Sequence, residues 1–582
     1  MGDLINGFAV ITTEFLKQIP QQQYLLIEIG IIIILSAIFA LIAKAIKQPP
    51  LIAYVLAGFI MGPVMFGFVK DFEIIASFSE IGIAFLLFLA GLEISFKKLK
   101  QVNFGKVLFV GTIQMIVIYF VAIMLSKTLG LSGLQASYIG VALAFGSTMV
   151  VVKILSDRGE LVTMHGRLIL GILLLQDLFA ILAIVLLTSQ TFAIWSILES
   201  IIKLISLLGV AFLMQKLVLT RLFKYSTSST HSKELLLLSS LAVLFFFILL
   251  SLIFQLSIVI GAFIAGVSLA NLPFRRELES RISPLRDFFS ILFFVALGMQ
   301  IVIEGVIDQW KLFLLLLIGA LIIKPFITML TLRISGYKER TSFLVSLGLA
   351  QLSEFSIIVA ILGVSLGVLT PAISSTIIIA TIITMSLTSF FIDYQEIFYR
   401  LFKKPLSLLN FIPVRETLDY MDKEDKTILM IGCDRMGKMI LRDLIKENKK
   451  DLVVLDYNPE IINNLREKKI SCIYGDVNSP DMLENVDIKN LKKVISTVPE
   501  LEDGLLILEK IKKENPNAKI ILTANTGEEA LELYERGADY VMLPRFSAGE
   551  IVSSIIRKDS VSLSHIKKSQ VQRIKDMDNI FH

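Results

Sequence analysis

Apolar runs follow one another from about Leu25 to Tyr399. A helix crosses the hydrocarbon core of a bilayer with roughly 20 such residues. In that medium each backbone N–H and C=O must be satisfied within the segment or by its neighbours. The pattern excludes a water-soluble fold for most of the chain and predicts a polytopic α-helical membrane domain. About 13 transmembrane helices are expected by the length criterion, near 25–46, 50–68, 73–97, 104–129, 133–156, 164–190, 192–222, 233–254, 256–273, 284–304, 310–334, 341–367 and 370–399. The seventh is the least regular, since Lys203 and Lys216 interrupt it. Composition agrees, with 55% of the 582 residues apolar. The net charge of +5 calls for no nucleic acid, because the basic residues gather in alternate loops, where membrane orientation explains them.

Those loops carry Lys44 and Lys47, then Lys97, Lys98, Lys100 and Lys106, then Arg158 and Arg167, Arg221 and Lys224, Arg275 to Arg286, Arg333 to Arg340, and Lys403 with Lys404. The positive-inside rule puts them in the cytoplasm. The expected topology is a multi-pass protein of the cytoplasmic membrane with its N-terminus outside and its C-terminus inside. Residues 1–24 read as an amphipathic lead-in without a cleavable signal, ahead of a membrane domain at 25–400.

After Lys404 the composition changes. Residues 401–425 read as a charged linker with Pro405 and Pro413. From 426 to 557 short apolar strands alternate with helical stretches, the mark of a parallel, doubly wound Rossmann-like sheet. Residues 558–582 form a charged tail. Cys433 and Cys472 fall in the soluble part, where reduced thiols are expected.

Within the sixth apolar run stands Gln176-Asp177. A carboxylate at that depth costs about 2.5 kcal/mol or much more, and such residues usually face an aqueous cavity and handle an ion or proton. The plain reading is an Asp paired inside the bundle. A second acid, Glu354, follows Ser353 in Leu349-Ala350-Gln351-Leu352-Ser353-Glu354-Phe355, and the fifth run holds Phe145-Gly146-Ser147-Thr148. Small polar residues in mid-span mark either close helix packing or an interrupted helix, and a pair of interruptions in the two halves of a chain points to an inverted-repeat transporter with a mid-membrane site. Glu354 alone also suits an interfacial or helix-pairing acid. Lys324, before Pro325, is open to four readings: a neutral buried amine, an amine paired with Asp177, a charge compensating helix ends, or a side chain snorkelling to the interface. Gln176 points about 100° away from Asp177 on a helix, so it suits bracing as well as ligation. One carboxylate in a partly dry cavity holds a proton or a monovalent cation in turn, which makes a monovalent cation at Asp177 the expected ion, with no covalent step and no enzyme chemistry.

In the soluble part the turn Gly432-Cys433-Asp434-Arg435-Met436-Gly437 follows a strand and opens a helix. The first and third glycines of a dinucleotide-binding turn are present, while Asp434 replaces the second, and Asp456 stands where a ribose acceptor is expected. The plain reading is a Rossmann-like pairing module without a nucleotide.

The chain resembles the monovalent cation:proton antiporter-2 family, most closely its potassium-efflux (Kef-like) branch. The resemblance runs from about Gln48 to Ile556. It rests on Gln48-Pro49-Pro50-Leu51-Ile52-Ala53-Tyr54, Gly62-Pro63, Phe88-Leu89-Ala90-Gly91-Leu92-Glu93, Gly146-Ser147-Thr148, Gln176-Asp177, Gly261-Ala262-Phe263-Ile264-Ala265-Gly266, Lys324 and Ser353-Glu354-Phe355. It implies two inverted repeats with two crossed broken helices. The ion-binding Asp falls on Asp177 and its neighbour on Gln176, with Ser147 and Thr148 as co-ligands. Lys324, Glu354 and Ser353 are implied as groups that stabilise the crossing or tune Asp177. The tail resembles a regulator-of-potassium-conductance (RCK, TrkA N-terminal) domain. That implies a nucleotide such as AMP or NAD(H) at Gly432, Asp434, Arg435, Met436, Gly437, Asp456 and Asp476. It also implies a homodimer paired through both domains. The function expected is K+/H+ exchange by alternating access under nucleotide control. The rivals are Na+/H+ exchange on the same scaffold and an RCK-gated K+ channel, although no TVGYG-type filter sequence is present.

Overall fold

The computed structural model describes residues 24–46, 48–62, 65–66, 72–93, 104–188, 194–219, 221, 232–270, 272, 275–406, 412, 420–421, 426–475, 477 and 486–557. The predicted lead-in before Tyr24, Asp476 and the tail 558–582 lie outside the described residues. The chain divides into two compact units, with the main boundary between Pro413 and Val414.

Among the described residues the regular elements of the first unit are helices: α1 (Tyr24–Ala45), α2 (Pro50–Met61), α3 (Phe72–Glu93), α4 (Phe104–Thr128), α5 (Gly133–Ala144), α6 (Thr148–Asp157), α7 (Met164–Thr188), α8 (Ile194–Met214), α9 (Ser232–Ile253), α10 (Ile258–Ala270), α11 (Arg275–Met299), α12 (Ile303–Asp308), α13 (Trp310–Ile318), α14 (Lys324–Ile334), α15 (Glu339–Gly348), α16 (Glu354–Ser365), α17 (Pro371–Asp393) and α18 (Gln395–Leu406). Among the described residues, 9 spans are long and apolar enough to cross a membrane, and the shorter apolar helices are Pro50–Met61, Glu80–Leu92, Ile258–Ala270 and Glu354–Ser365. Each expected run contains a helix, but several limits differ. The run 50–68 keeps its helix only to Met61, where Gly62 caps it ahead of Pro63, a residue that cannot donate to continue the ladder. The run 284–304 starts nine residues early, because the charged segment from Arg275 stays helical, with Arg281 and Glu277 paired one turn apart at 3.1 Å.

Several helix pairs approach backbone to backbone, two of them through reciprocal glycines. A Cβ built on Gly58 of α2 would lie 1.9 Å from the Val295 carbonyl oxygen of α11, and one on Gly298 of α11 would lie 2.1 Å from that of Val55. In α10 and α3 the same holds for Gly266 against the Phe88 carbonyl (2.0 Å) and Gly91 against that of Phe263 (2.3 Å). Apolar lipid gives no hydrophobic reward for association, so close van der Waals fit of this kind holds such helices together.

The second unit is a six-stranded parallel sheet, β1 (Ile428–Ile431), β2 (Leu452–Asp456), β3 (Cys472–Tyr474), β4 (Lys493–Ser496), β5 (Lys519–Thr523) and β6 (Tyr540–Met542), in the order β3-β2-β1-β4-β5-β6. Ile428 pairs with Leu452 on one side and Lys493 on the other, so the order reverses at β1. Helices α19 (Arg435–Asn448), α20 (Pro459–Glu467), α21 (Leu501–Glu514), α22 (Gly527–Glu535) and α23 (Pro544–Arg557) complete it. Strands β1 and β2 are buried along their whole length, as expected of parallel strands covered on both faces.

Gly266→Val is expected to cost the folded protein at least ~3 kcal/mol, from overpacking against backbone that cannot yield. Gly30→Val, at a position with open space around it, is the matched control. Thermal unfolding of both in detergent checks this, with loss of monodisperse protein expected for the first alone.

Candidate functional site

Two of the expected runs are interrupted. Between α5 and α6 the chain is extended through Phe145, Gly146 and Ser147, and between α15 and α16 it is irregular from Leu349 to Ser353. The freed backbone groups find partners across the two breaks. Lys324 donates to the carbonyl oxygens of Phe145 (2.6 Å) and Gln351 (2.7 Å). Gln351 Nε2 donates to the Ser147 carbonyl at 3.1 Å, and the Gly146 N–H donates to Gln176 Oε1 at 2.9 Å. Ser356 Oγ donates to the Ala142 carbonyl at 2.5 Å. From α17, Thr384 Oγ1 accepts from the Leu352 N–H at 3.2 Å, and Thr388 Oγ1 donates to the Ala350 carbonyl at 2.8 Å.

The charges follow the helix dipoles. Lys324 is fully buried and sits at carbonyls just past the C-terminal ends of α5 and α15, where partial negative charge collects. Of the placements left open by the sequence, this is the one at helix ends, and zero exposure rules out snorkelling. A π-type turn at Gly319–Ile323 precedes it, closed by the Lys324 N–H on the Gly319 carbonyl, and Pro325 at the next position cannot donate. The two acids lie at the N-terminal ends. Asp177 is 6% exposed and accepts from Thr148 Oγ1, at the first residue of α6, at 2.9 Å. Glu354 is the first residue of α16 and accepts from Ser147 Oγ at 2.5 Å. Ser147 therefore bonds to Glu354, while Thr148 bonds to Asp177. Ser353 caps α16, accepting from the Phe355 N–H at 3.2 Å.

Gln351, Ser356, Thr384 and Thr388 were not singled out from the sequence. The hydroxyls of Thr381, Thr384 and Thr388 at helical spacing, and the polar Gln351 inside the second break, were the available signal.

The loop joining α6 to α7 is fixed by Glu160. Its carboxylate accepts from Arg158 Nε (2.8 Å) and Gln395 Nε2 (2.9 Å) and is bonded to His165 Nε2 (2.9 Å), so the ends of α6, α7 and α18 meet there. Burial pushes the Glu160 carboxyl up, but the His165, Arg158 and Gln395 contacts outweigh it and hold it at about 2.

In the soluble unit, Gly432 has φ +81°, and a Cβ there would lie 2.7 Å from Thr497 Oγ1. A Cβ on Gly437 would lie 2.5 Å from the Gly432 carbonyl oxygen. Both glycines are thus demanded by the turn itself. Asp434 caps α19 with no side-chain hydrogen bond to it, and Met436 lies in the first turn. The side chain of Arg435 lies outside the described residues. Asp456 is 3% exposed, and its two oxygens accept from the Cys433 N–H (2.6 Å) and the Asn458 N–H (2.7 Å). Burial raises the Asp456 carboxyl, against the pull of those two N–H groups, and burial beside Asp456 raises the Cys433 thiol far enough to keep it protonated and unreactive. The tight turn, the helix N-terminus and the buried acid at the end of β2 fit the ribose end of a nucleotide. The Asp434 carboxylate at the helix N-terminus opposes a diphosphate.

The model of the sodium/hydrogen exchanger transmembrane family matches residues 31–393. The chain belongs to that family. The TrkA-N domain model matches residues 428–544. The exchanger is similar to the putative cation/proton antiporter YbaL of Escherichia coli (strain K12), 27% identical over 88% of this chain and 93% of that one. It is also similar to the glutathione-regulated potassium-efflux system protein KefC of Salmonella schwarzengrund (strain CVM19633), 30% identical over 86% of this chain and 80% of that one. The sodium proton antiporter MjNhaP1 of Methanocaldococcus jannaschii shares the fold of the membrane unit, with a TM-score of 0.50 at 21% identity over 66% of this chain and 98% of that one. The exchanger is thus a Kef-type cation/proton antiporter with a TrkA-N domain, a multi-pass membrane protein and not an enzyme.

Glu160→Gln is expected to lower stability by about 3 kcal/mol at pH 7, since the folded carboxyl titrates well below its ordinary value. The depressed value means that the stabilisation is complete above about pH 4.5 and is lost as pH falls towards about 2. Thermal unfolding of wild type and variant across that window checks this, and the two curves should converge at the acid end.

Proposed function

We propose that the exchanger carries K+ against H+ by alternating access, with Asp177 binding cation and proton in turn. The observation that carries this reading is Asp177 itself, a nearly buried carboxylate bonded to Thr148 at the first turn of a helix that begins in mid-span. Thr148 is a direct co-ligand candidate. Ser147 acts through Glu354, and Gln176 acts by holding the Gly146 N–H. Lys324, Ser353 and Glu354 keep two crossed, broken helices together. Because the Lys324 amine is bonded to carbonyls and not committed to a proton exchange with Asp177, one-for-one exchange is the stoichiometry proposed. K+ is favoured because the potassium-efflux relative aligns over both domains. Na+ is the second reading, favoured by the sodium proton antiporter that shares the membrane fold.

The orientation proposed keeps the N-terminus outside and the C-terminal domain in the cytoplasm, in agreement with the basic loops. The proposed assembly is a homodimer through both domains, as the family resemblance implies. The regulatory ligand proposed is an adenine nucleotide on the Gly432–Gly437 turn, with Asp456 positioned by its two backbone bonds to meet the ribose side. The side chain of Asp434, where a glycine would let the backbone approach a pyrophosphate, favours a monophosphate such as AMP over NAD(H).

In liposomes with a pH-reporting dye, K+ gradients should drive proton movement in the wild type, and Asp177→Asn should reduce the rate at least ~100-fold. Equal activity in the variant would remove Asp177 as the carrier, and K+ flux without protons would indicate a channel. A larger response to Na+ than to K+ would reverse the selectivity.

Asp434→Gly should strengthen NAD(H) binding about tenfold, the factor expected from ~1.4 kcal/mol gained when the backbone can approach the pyrophosphate, and change AMP binding by less. Calorimetric titration of the full chain decides between this and a turn that binds neither.

A further inference from the structure

The Gly146-Ser147 break is held by two glutamine amides, one from each half of the membrane unit. Gln176 takes the Gly146 N–H on its oxygen, and Gln351 gives its amide hydrogen to the Ser147 carbonyl. These bonds fix which way each amide faces, because a swapped Gln351 would set oxygen against oxygen. Gln351 is fully buried, and with its NH2 group on Ser147 its Oε1 has no hydrogen-bond partner. A buried acceptor without a donor is costly, and native structures keep few of them. Pinning the Ser147 carbonyl needs only a donor, so that requirement does not account for the oxygen. Its neighbourhood does. Ser147 precedes Thr148, whose hydroxyl lies 2.9 Å from Asp177 Oδ2, and the Gln351 backbone carbonyl holds Lys324 at 2.7 Å.

We propose that the Gln351 side-chain oxygen is a neutral ligand of the transported cation, supplied by the second interruption to a site whose charge comes from Asp177. This rests on the exchange reading above. Carbonyl oxygen is the ligand type that replaces the hydration shell of an alkali cation. Being uncharged, it adds grip on the ion without adding a second site for a proton, so one proton on Asp177 still displaces the cation. A cation so held also links the two breaks, which makes occupancy a structural event in both halves.

The test uses the purified full chain. Thermal unfolding is measured against KCl, NaCl and choline chloride for wild type, Gln351→Leu and Gln351→Asn, with Gln114→Leu, a buried glutamine bonded to Thr328 elsewhere in the bundle, as control. K+ should raise the wild-type midpoint. The K+ concentration giving half the effect should rise about tenfold in Gln351→Leu, the loss of one ligand, and by less in Gln351→Asn, while the control keeps the wild-type value. In liposomes the KM for K+ should rise by the same factor, over and above the fall in maximal rate that follows from losing the amide that pins the Ser147 carbonyl. If Gln351→Leu does not fold, Gln351→Asn decides by the same criteria. Unchanged cation dependence in the variants would overturn the assignment while leaving exchange intact. So would a lower maximal rate at unchanged KM, the signature of pinning alone. A wild type protected by neither K+ nor Na+ would overturn the cation site as a whole.

Discussion

Unwound backbone in a low-dielectric interior is the constraint on which the membrane unit depends. Each interruption releases carbonyls and N–H groups that water cannot reach, and the structure satisfies them by bringing the two interruptions together. Lys324 is central because one amine nitrogen serves a carbonyl from each break, at the place where two helix C-termini concentrate negative potential. The acids take the opposite ends, so Asp177 and Glu354 meet the starts of α6 and α16. Removing any one member leaves a buried group unpaired, and the cost of that exceeds the value of the bond itself.

The soluble unit rests on a similar economy. Asp456 lies at the end of β2, yet its carboxylate binds the N–H of Cys433 inside the glycine turn after β1. The acid thereby organises the turn as well as standing beside it. The hydroxyl of Thr497, after β4, bonds to the Gly432 carbonyl at 3.0 Å, so the ends of three neighbouring strands define the site. That is the position where the strand order reverses and where open α/β sheets place their ligands.

Much of this was legible in the sequence, for reasons that differ by residue. The helices announced themselves because a bilayer tolerates little else, and Asp177 and Lys324 stood out because charge is rare at that depth. The parallel sheet followed from apolar strands alternating with helices. Three things escaped. Helix limits at Met61 and Arg275 depended on a cap and on i,i+4 charge pairs that hydropathy does not register. The partner of Ser147 could not be read, because adjacent Ser147 and Thr148 diverge to different acids only once the break is folded. Gln351 was visible as a polar residue in the break, but its double duty, a backbone carbonyl to Lys324 and an amide to Ser147, is a property of the tertiary meeting alone.

The glycine contacts of α2 with α11 and of α3 with α10 bear on how such a molecule can move. Side-chain interfaces slide by exchanging rotamers, but at Gly58, Gly91, Gly266 and Gly298 main chain meets main chain with no side chain between. There is nothing there to rearrange, and displacement along the pair by less than a whole turn drives Cα and carbonyl atoms into each other. These helices therefore hold a fixed register, and any relative motion within the membrane unit falls to helices outside these two pairs.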